Sequence, residues 1–216
     1  DTLLIFTTKG KVFSMKVYEI PEAGKQARGK LISNLIKLSE DERVSTVIRV
    51  REFEKDKAIF FITKDGVVKK TDLTLFANIN KTGIRALTLR DEDELKFAGL
   101  TSGSEKDEIF IATRNGISIR FCEEDVRVMG RTAAGVKGIT LRDKDYVVAA
   151  VIINPEKISE ELSVMTITEE GYGKRTALSE YKVQARGGKG IINLKISEKT
   201  GKIVDVKIVD DTTEIM

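Results

Sequence analysis

The residues in this sequence that could do chemistry are cations set at recurring intervals. Arg186-Gly187-Gly188-Lys189-Gly190 puts two positive side chains and three glycines into one short loop. Gln184 opens that loop, and Lys174 and Arg175 precede it. Such a loop suits phosphate: its side chains supply charge, and its glycines either let backbone amides approach the anion or permit a tight turn. A nucleotide loop fits poorly. The Walker pattern needs glycine five residues before Gly188-Lys189, where Val183 stands, and no GxGxxG opens a helix.

Other chemistries fall away quickly. The chain has no histidine and one cysteine, Cys122, so an intramolecular disulfide, a zinc site and His-dependent catalysis are excluded. Cys122, in SIRFCEE, reads as a small strand residue. Tyr18, Tyr146, Tyr172 and Tyr181 sit in strand or turn contexts and read as structural. No carboxylates cluster at a recurring loop mouth. No catalytic residue, metal ligand or cofactor is therefore assigned.

The elements that must position the cations repeat. LLIFTTKGKVFSMKVYEI, AIFFITKDGVVKKTDLTLF, EIFIATRNGISIRFCEEDV and SVMTITEEGYGKRTALSEY align on Gly10, Gly66, Gly116 and Gly171, a period of roughly 50–56 residues. Each copy carries a second glycine in a basic loop, at Gly29, Gly83, Gly135 and Gly187. An apolar segment follows (LISNLIKL, IRALTL, VKGITL, GIINLKI), then usually an acidic turn, then a last apolar strand. Each unit offers four short strands rich in Val, Ile, Leu, Phe and Thr. The first two join through turns such as Lys64-Asp65-Gly66 and Arg114-Asn115-Gly116, where positive φ is needed. The best helix candidate, 156–162, is short and follows Pro155. The fold class is thus all-β and propeller-like, with repeats at about 3–54, 55–105, 106–160 and 161–211, and 212–216 approaching a further one. Apolar residues, at 41%, suffice for such a core. The abrupt start on DTLLIFTT suggests an excised piece. No apolar run is long enough to span a membrane, no secretory signal is visible, and a reducing cytoplasm suits the cysteine count.

Within this frame the charges segregate. The fourth residue after the turn glycine is Lys70, Arg120 and Arg175 in repeats two to four, with Ser14 in the first. Just before the loop glycine stand Arg28, Lys81, Arg131 and Arg186; just after it stand Lys30, Arg85, Lys137 and Lys189. Acidic residues gather in other turns, at 40–42, 91–94, 143 and 145. Radially arranged units would line the cations into a curved track for a polyanion such as duplex DNA backbone. Recognition helices, zinc fingers and aromatic stacking platforms are absent, so little sequence preference is expected. Net charge is only +3, so distribution matters more than sum.

Gln184-Ala185-Arg186-Gly187-Gly188-Lys189-Gly190 resembles the box motif, QRRGGKG, of the C-terminal domain of bacterial DNA gyrase A, with alanine at its second position. GKVFSMKVYEIPEA, TAAGVKGITLRD and EEGYGKRTALSEY also look like segments of that domain, so the likeness covers essentially the whole chain. The resemblance implies a β-pinwheel, four blades of about six, in which neighbours exchange a strand and DNA bends around a basic rim. It implies as partners double-stranded DNA, the remainder of gyrase A, and gyrase B. Together these make a bacterial cytoplasmic, nucleoid-associated enzyme that introduces negative supercoils using ATP. The family's defining box lies in its first blade, so Gln184–Gly190 reads as a box-like loop of a later one. The catalytic tyrosine and the ATPase of that enzyme belong to other domains. Rival readings are the equivalent domain of topoisomerase IV and a protein-binding propeller; the latter lacks its WD pairs and tryptophans here.

Overall fold

The computed structural model describes residues 1–157 and 162–214. The first repeat supplies β1 (Thr2–Thr7), β2 (Lys11–Lys16) and β3 (Val44–Val50). The second supplies β4 (Ala58–Thr63), β5 (Val67–Asp72), β6 (Ile84–Arg85) and β7 (Leu95–Leu100). The third gives β8 (Glu108–Thr113), β9 (Ile117–Cys122), β10 (Val136–Lys137) and β11 (Val147–Ile153), and the fourth β12 (Ser163–Thr168), β13 (Gly173–Ala177), β14 (Ile191–Ile192) and β15 (Ile203–Val209). They form four antiparallel sheets in the orders β3-β1-β2-β6, β10-β5-β4-β7, β11-β8-β9-β14 and β13-β12-β15. The all-β, propeller-like expectation holds. Of the expected helix at 156–162, Pro155–Lys157 form one 3-10 turn and 158–161 lie outside the described residues, as do 215–216 of the last segment.

The central strands are apolar at successive positions because both faces are covered. Every residue of β4 is buried. Ile59 and Phe61 pack with Leu4, Phe6, Leu73 and Phe76 of one core, while Phe60 and Ile62 pack with Ile109, Ile111 and Phe121 of the next. Phe6 and Phe61 meet edge to face at 5.3 Å across the first two sheets, and Phe110 meets Tyr181 the same way at 5.1 Å across the last two. The cores therefore lie between blades, and each fully buried phenylalanine contributes about 2–3 kcal/mol. Strands β3, β7, β11 and β15 contact one another in sequence and form the inner ends of the blades.

The outermost strand of each complete blade comes from the following repeat. Lys11 pairs with Arg85, Val67 with Lys137 and Ile117 with Ile192. The crossing is fixed by one repeated bond: Ala86, Gly138 and Asn193 donate their amides to the carbonyls of Gly10, Gly66 and Gly116, each at 2.8 Å. This corrects the repeat alignment. Gly190, three residues beyond Gly187, is the equivalent of Gly83 and Gly135, because it is the glycine directly before the crossing strand. Ile192, not Lys189, then matches Arg85 and Lys137. The first repeat differs too: its apolar segment 31–38 holds a 3-10 turn at Ile32–Asn34 and no strand.

The acidic turns are fastened to the hairpin turns. Asp41, Glu92 and Lys144 hold left-handed backbone (φ 61, 62 and 54°), and each is followed by a carboxylate that caps the neighbouring turn. Asp145 accepts from the Thr113 hydroxyl at 2.7 Å and from the amides of Asn115 and Tyr146, both at 2.9 Å. Asp93 accepts from Asp65 and Glu94, and Glu42 from Thr7 and Ser39. Burial pushes the Glu42 carboxyl up, but those hydrogen bonds outweigh it and hold the group below its ordinary value. Asp145→Ala is expected to cost about 1–2 kcal/mol in urea unfolding, since three donors lose one acceptor. Asp143→Ala, on the exposed side of the same turn, should change little.

Candidate nucleic-acid interface

The crossing segments place the basic loops at the outer ends of the blades. Lys81 and Arg85 precede and occupy β6, Lys137 lies in β10, and Lys189 precedes β14; all four are exposed. Arg28 and Lys30 are exposed in the equivalent loop of the first repeat, which pairs with no strand among the described residues. Arg131 is half-buried in the third repeat's loop. In the second to fourth repeats these cations flank the crossing strands, whereas Arg28 and Lys30 flank none among the described residues.

Gln184–Gly190 folds tightly against the crossing before it. The Gln184 amide donates to Arg120 O at 2.8 Å and the Gly187 amide to Gly138 O at 2.6 Å, while Gly188 O accepts from Thr140 N at 2.8 Å. The Arg186 guanidinium donates to the carbonyls of Asp125 (2.8 Å) and Lys137 (3.0 Å). Arg186 thereby seams the fourth repeat's loop to the third repeat while Lys189 stays exposed. Gly190 explains its own type: φ is +67°, and a Cβ there would sit 2.4 Å from Ser118 O. Close backbone approach between strands requires glycine at this position.

Two expected contact residues lie elsewhere. Lys70 is only 7% exposed, its ammonium 3.5 Å from Glu123 O in the next blade. Arg120 binds the Glu108 carboxylate at 2.6 Å and the carbonyls of Leu178 (2.9 Å) and Tyr181 (3.0 Å), again in the next blade. The physical reason is shared: the fourth residue after the turn glycine faces the following blade and ties to its 3-10 helix. Lys70 and Arg120 are inter-blade ties. Arg175, at the same place in the fourth blade, is exposed and pairs with Asp211. Lys174 donates to Asn193 O at 2.8 Å.

Sequence reasoning missed Lys69, which is fully buried. The adjacency of Lys69 and Lys70 was the available signal, since neighbours in a strand face opposite sides and both sides here are covered. It also missed Glu123, whose carboxyl is pushed up to about 7 by burial, against the pull of Lys70 and with the push of Asp107 and Glu105. No helix among the described residues is long and apolar enough to cross a membrane.

Comparison with known proteins places this geometry. The family model for the DNA gyrase C-terminal domain, a beta-propeller, matches residues 1–51, 57–102, 107–154 and 163–210. DNA gyrase A of Lawsonia intracellularis is 43% identical over 99% of the chain, and that of Salmonella typhimurium 44% over 100%. The chain spans about a quarter of those relatives, 26% and 24% of their lengths. A crystal structure of the C-terminal domain of DNA topoisomerase IV superposes with a TM-score of 0.87 at 29% identity, covering 98% of this chain and 64% of that one. A DNA gyrase A C-terminal domain gives 0.80 at 25% identity, covering 98% and 66%. With four matched segments that fall on the four repeats, the chain belongs to the DNA gyrase C-terminal domain family.

Proposed function

We propose that this domain binds duplex DNA along its outer edge, through phosphate contacts with little sequence preference, and bends it. The observation that carries the reading is the recurrence of exposed Lys81 and Arg85, Lys137, and Lys189 beside the crossing strands of the second to fourth repeats, with Arg28 and Lys30 exposed in the first repeat's basic loop. Spacing the cations blade by blade favours a curved path, since a duplex must bend to follow them. Arg131, Lys174, Arg175 and the Arg186–Gly190 loop flank the path. In this reading the domain serves bacterial gyrase, an ATP-dependent type II topoisomerase of the cytoplasm and nucleoid. Its partners are DNA, the rest of gyrase A, and gyrase B. The bend presents a crossing segment so that strand passage introduces negative supercoils. The chemistry belongs to those other parts.

Two measurements test it. With about six phosphates neutralised, log affinity should fall against log salt with a slope near −5. Reversing charge in Lys137→Glu/Lys189→Glu should weaken binding about tenfold and flatten the slope by about 2, equally for unrelated duplexes. Relaxing nicked-and-sealed circular DNA with the protein bound should then shift the linking number. Binding without such a shift would reduce the domain to a basic clamp, and no binding at moderate salt would overturn the proposal. The superposition on a C-terminal domain of DNA topoisomerase IV gives a second reading, that this chain serves as the equivalent domain of that enzyme.

A further inference from the structure

Lys69 lies on β5, in the interior of the second blade, with none of its surface exposed. Its ammonium donates to Ala86 O at 2.6 Å and to Arg131 O, and it stands 5.5 Å from the centre of the Phe61 ring. The two carbonyls belong to different crossings. Ala86 ends the segment that the second repeat gives to the first blade, and Arg131 lies in the loop that leads the third repeat's strand into the second blade. A seam extends the contact: Thr88 donates its hydroxyl to Thr132 O at 2.7 Å. The fourth repeat holds an independent copy of half this arrangement. Lys174 occupies the place of Lys69 and donates to Asn193 O, the carbonyl equivalent to that of Ala86.

We propose that Lys69 is a positioning residue for the DNA-binding edge: its side chain locks the Arg131 loop of one repeat onto the crossing strand of the previous repeat, and the lock tightens when the amine sheds its buried charge. The proposal rests on the DNA-binding reading for its functional consequence and on the two carbonyl bonds for its geometry. The neutral amine keeps two N–H donors, one for each carbonyl, and escapes the cost of a charge buried beside the Arg131 guanidinium. Burial, and secondarily the Arg131 guanidinium, push this ammonium down to about 7 from its ordinary 10.5. The groups around it are few. Arg131 is the charged group acting from the third repeat's loop, Phe61 offers only its ring from β4, and the segment ending at Ala86 offers a carbonyl. Lys70, next in the chain, faces the opposite side toward Glu123. Among the described residues Glu123 is the other side chain pushed to about 7.

The test therefore uses Glu123→Gln as the parent, with Lys69→Met added, a 40-base-pair duplex as probe, and constant ionic strength. In the parent, affinity is expected to rise about fivefold between pH 6 and pH 8.5. Backbone hydrogen exchange over 129–137, corrected for the intrinsic pH effect, should slow across the same interval. Lys69→Met should show the weak, fast-exchanging behaviour at both pH values, with no step between. An unchanged pH profile in Lys69→Met overturns the lock. Should that variant fail to fold, NMR titration of lysine side chains in the parent decides: a Lys69 signal that titrates with the ordinary lysines overturns the proposal. Failure of the parent to bind DNA at any pH sinks the DNA-binding reading, while exchange and titration still decide the lock.

Discussion

Gly190→Ala is expected to destabilise the protein by at least about 3 kcal/mol, and Gly29→Ala by only about 1. Both glycines lie in the basic loops and hold nearly equal φ angles of +67° and +70°. They differ in what a methyl group would meet. At Gly190 the new Cβ would sit 2.4 Å from Ser118 O and 2.9 Å from the Ile117 side chain, whereas at Gly29 nothing lies within 4 Å. Left-handed backbone costs an L-residue about 1–2 kcal/mol wherever it occurs. The excess at Gly190 therefore measures the close approach of β14 to β9. Thermal unfolding should show the contrast as a drop of about 6–12 °C for Gly190→Ala against about 2–4 °C for Gly29→Ala. Equal shifts would mean that β14 can ride over the methyl group, and that the crossing is looser than its 2.8 Å Asn193–Gly116 bond implies.

The same crossing marks the boundary of what could be read from the chain. Four repeats, their strands and their turn glycines were legible, because apolar runs and glycine spacing are local signals. That Gly10, Gly66, Gly116 and Gly171 adopt positive φ follows from those turns, and all four do. The partner of each fourth strand was not legible from residues alone. A two-residue strand such as Ile84–Arg85 has too little pattern to say which sheet it joins. The basic loop was aligned on its most conspicuous glycine, Gly187, although the glycine fixed by geometry is Gly190. Charge misled in a second way. Lys70 and Arg120 recur in register as Arg175 does, and recurrence of cations reads as a surface. In a fold whose blades pack face to face, recurrence equally describes the interior, where each cation finds the carbonyls of the next blade's 3-10 helix.

Glu123→Gln is expected to stabilise the protein by on the order of 2–3 kcal/mol at pH 8 and to leave it nearly unchanged at about pH 4.5. Glu123 is 2% exposed, and one of its carboxyl oxygens is buried without a hydrogen-bond partner. Leu73 and Leu178 fill the equivalent place in the neighbouring blades and are buried, so the site itself is apolar and the carboxylate is the exception. Burial raises the group to about 7 from an ordinary 4.5. Between those values the folded chain keeps a proton that the unfolded chain has released. Its stability is therefore full below about pH 4.5 and declines as the pH rises toward 7, by about 1.4 kcal/mol for each pH unit at most. Glutamine mimics the protonated acid, so the variant should lose this slope. Glu42 and Glu94, held below their ordinary values, act in the window beneath 4.5 and leave the comparison clean. Lys69 works in the opposite sense above 7, where the folded chain gives up a proton that the unfolded chain retains, so stability climbs toward about pH 10 in both proteins. Urea unfolding from about pH 4.5 to 9 should thus give a minimum near 7 for the natural sequence and a rise without that minimum for Glu123→Gln. Parallel curves would mean that Glu123 is ionised in the folded protein and stabilised by Lys70, making the two residues a buried ion pair between blades.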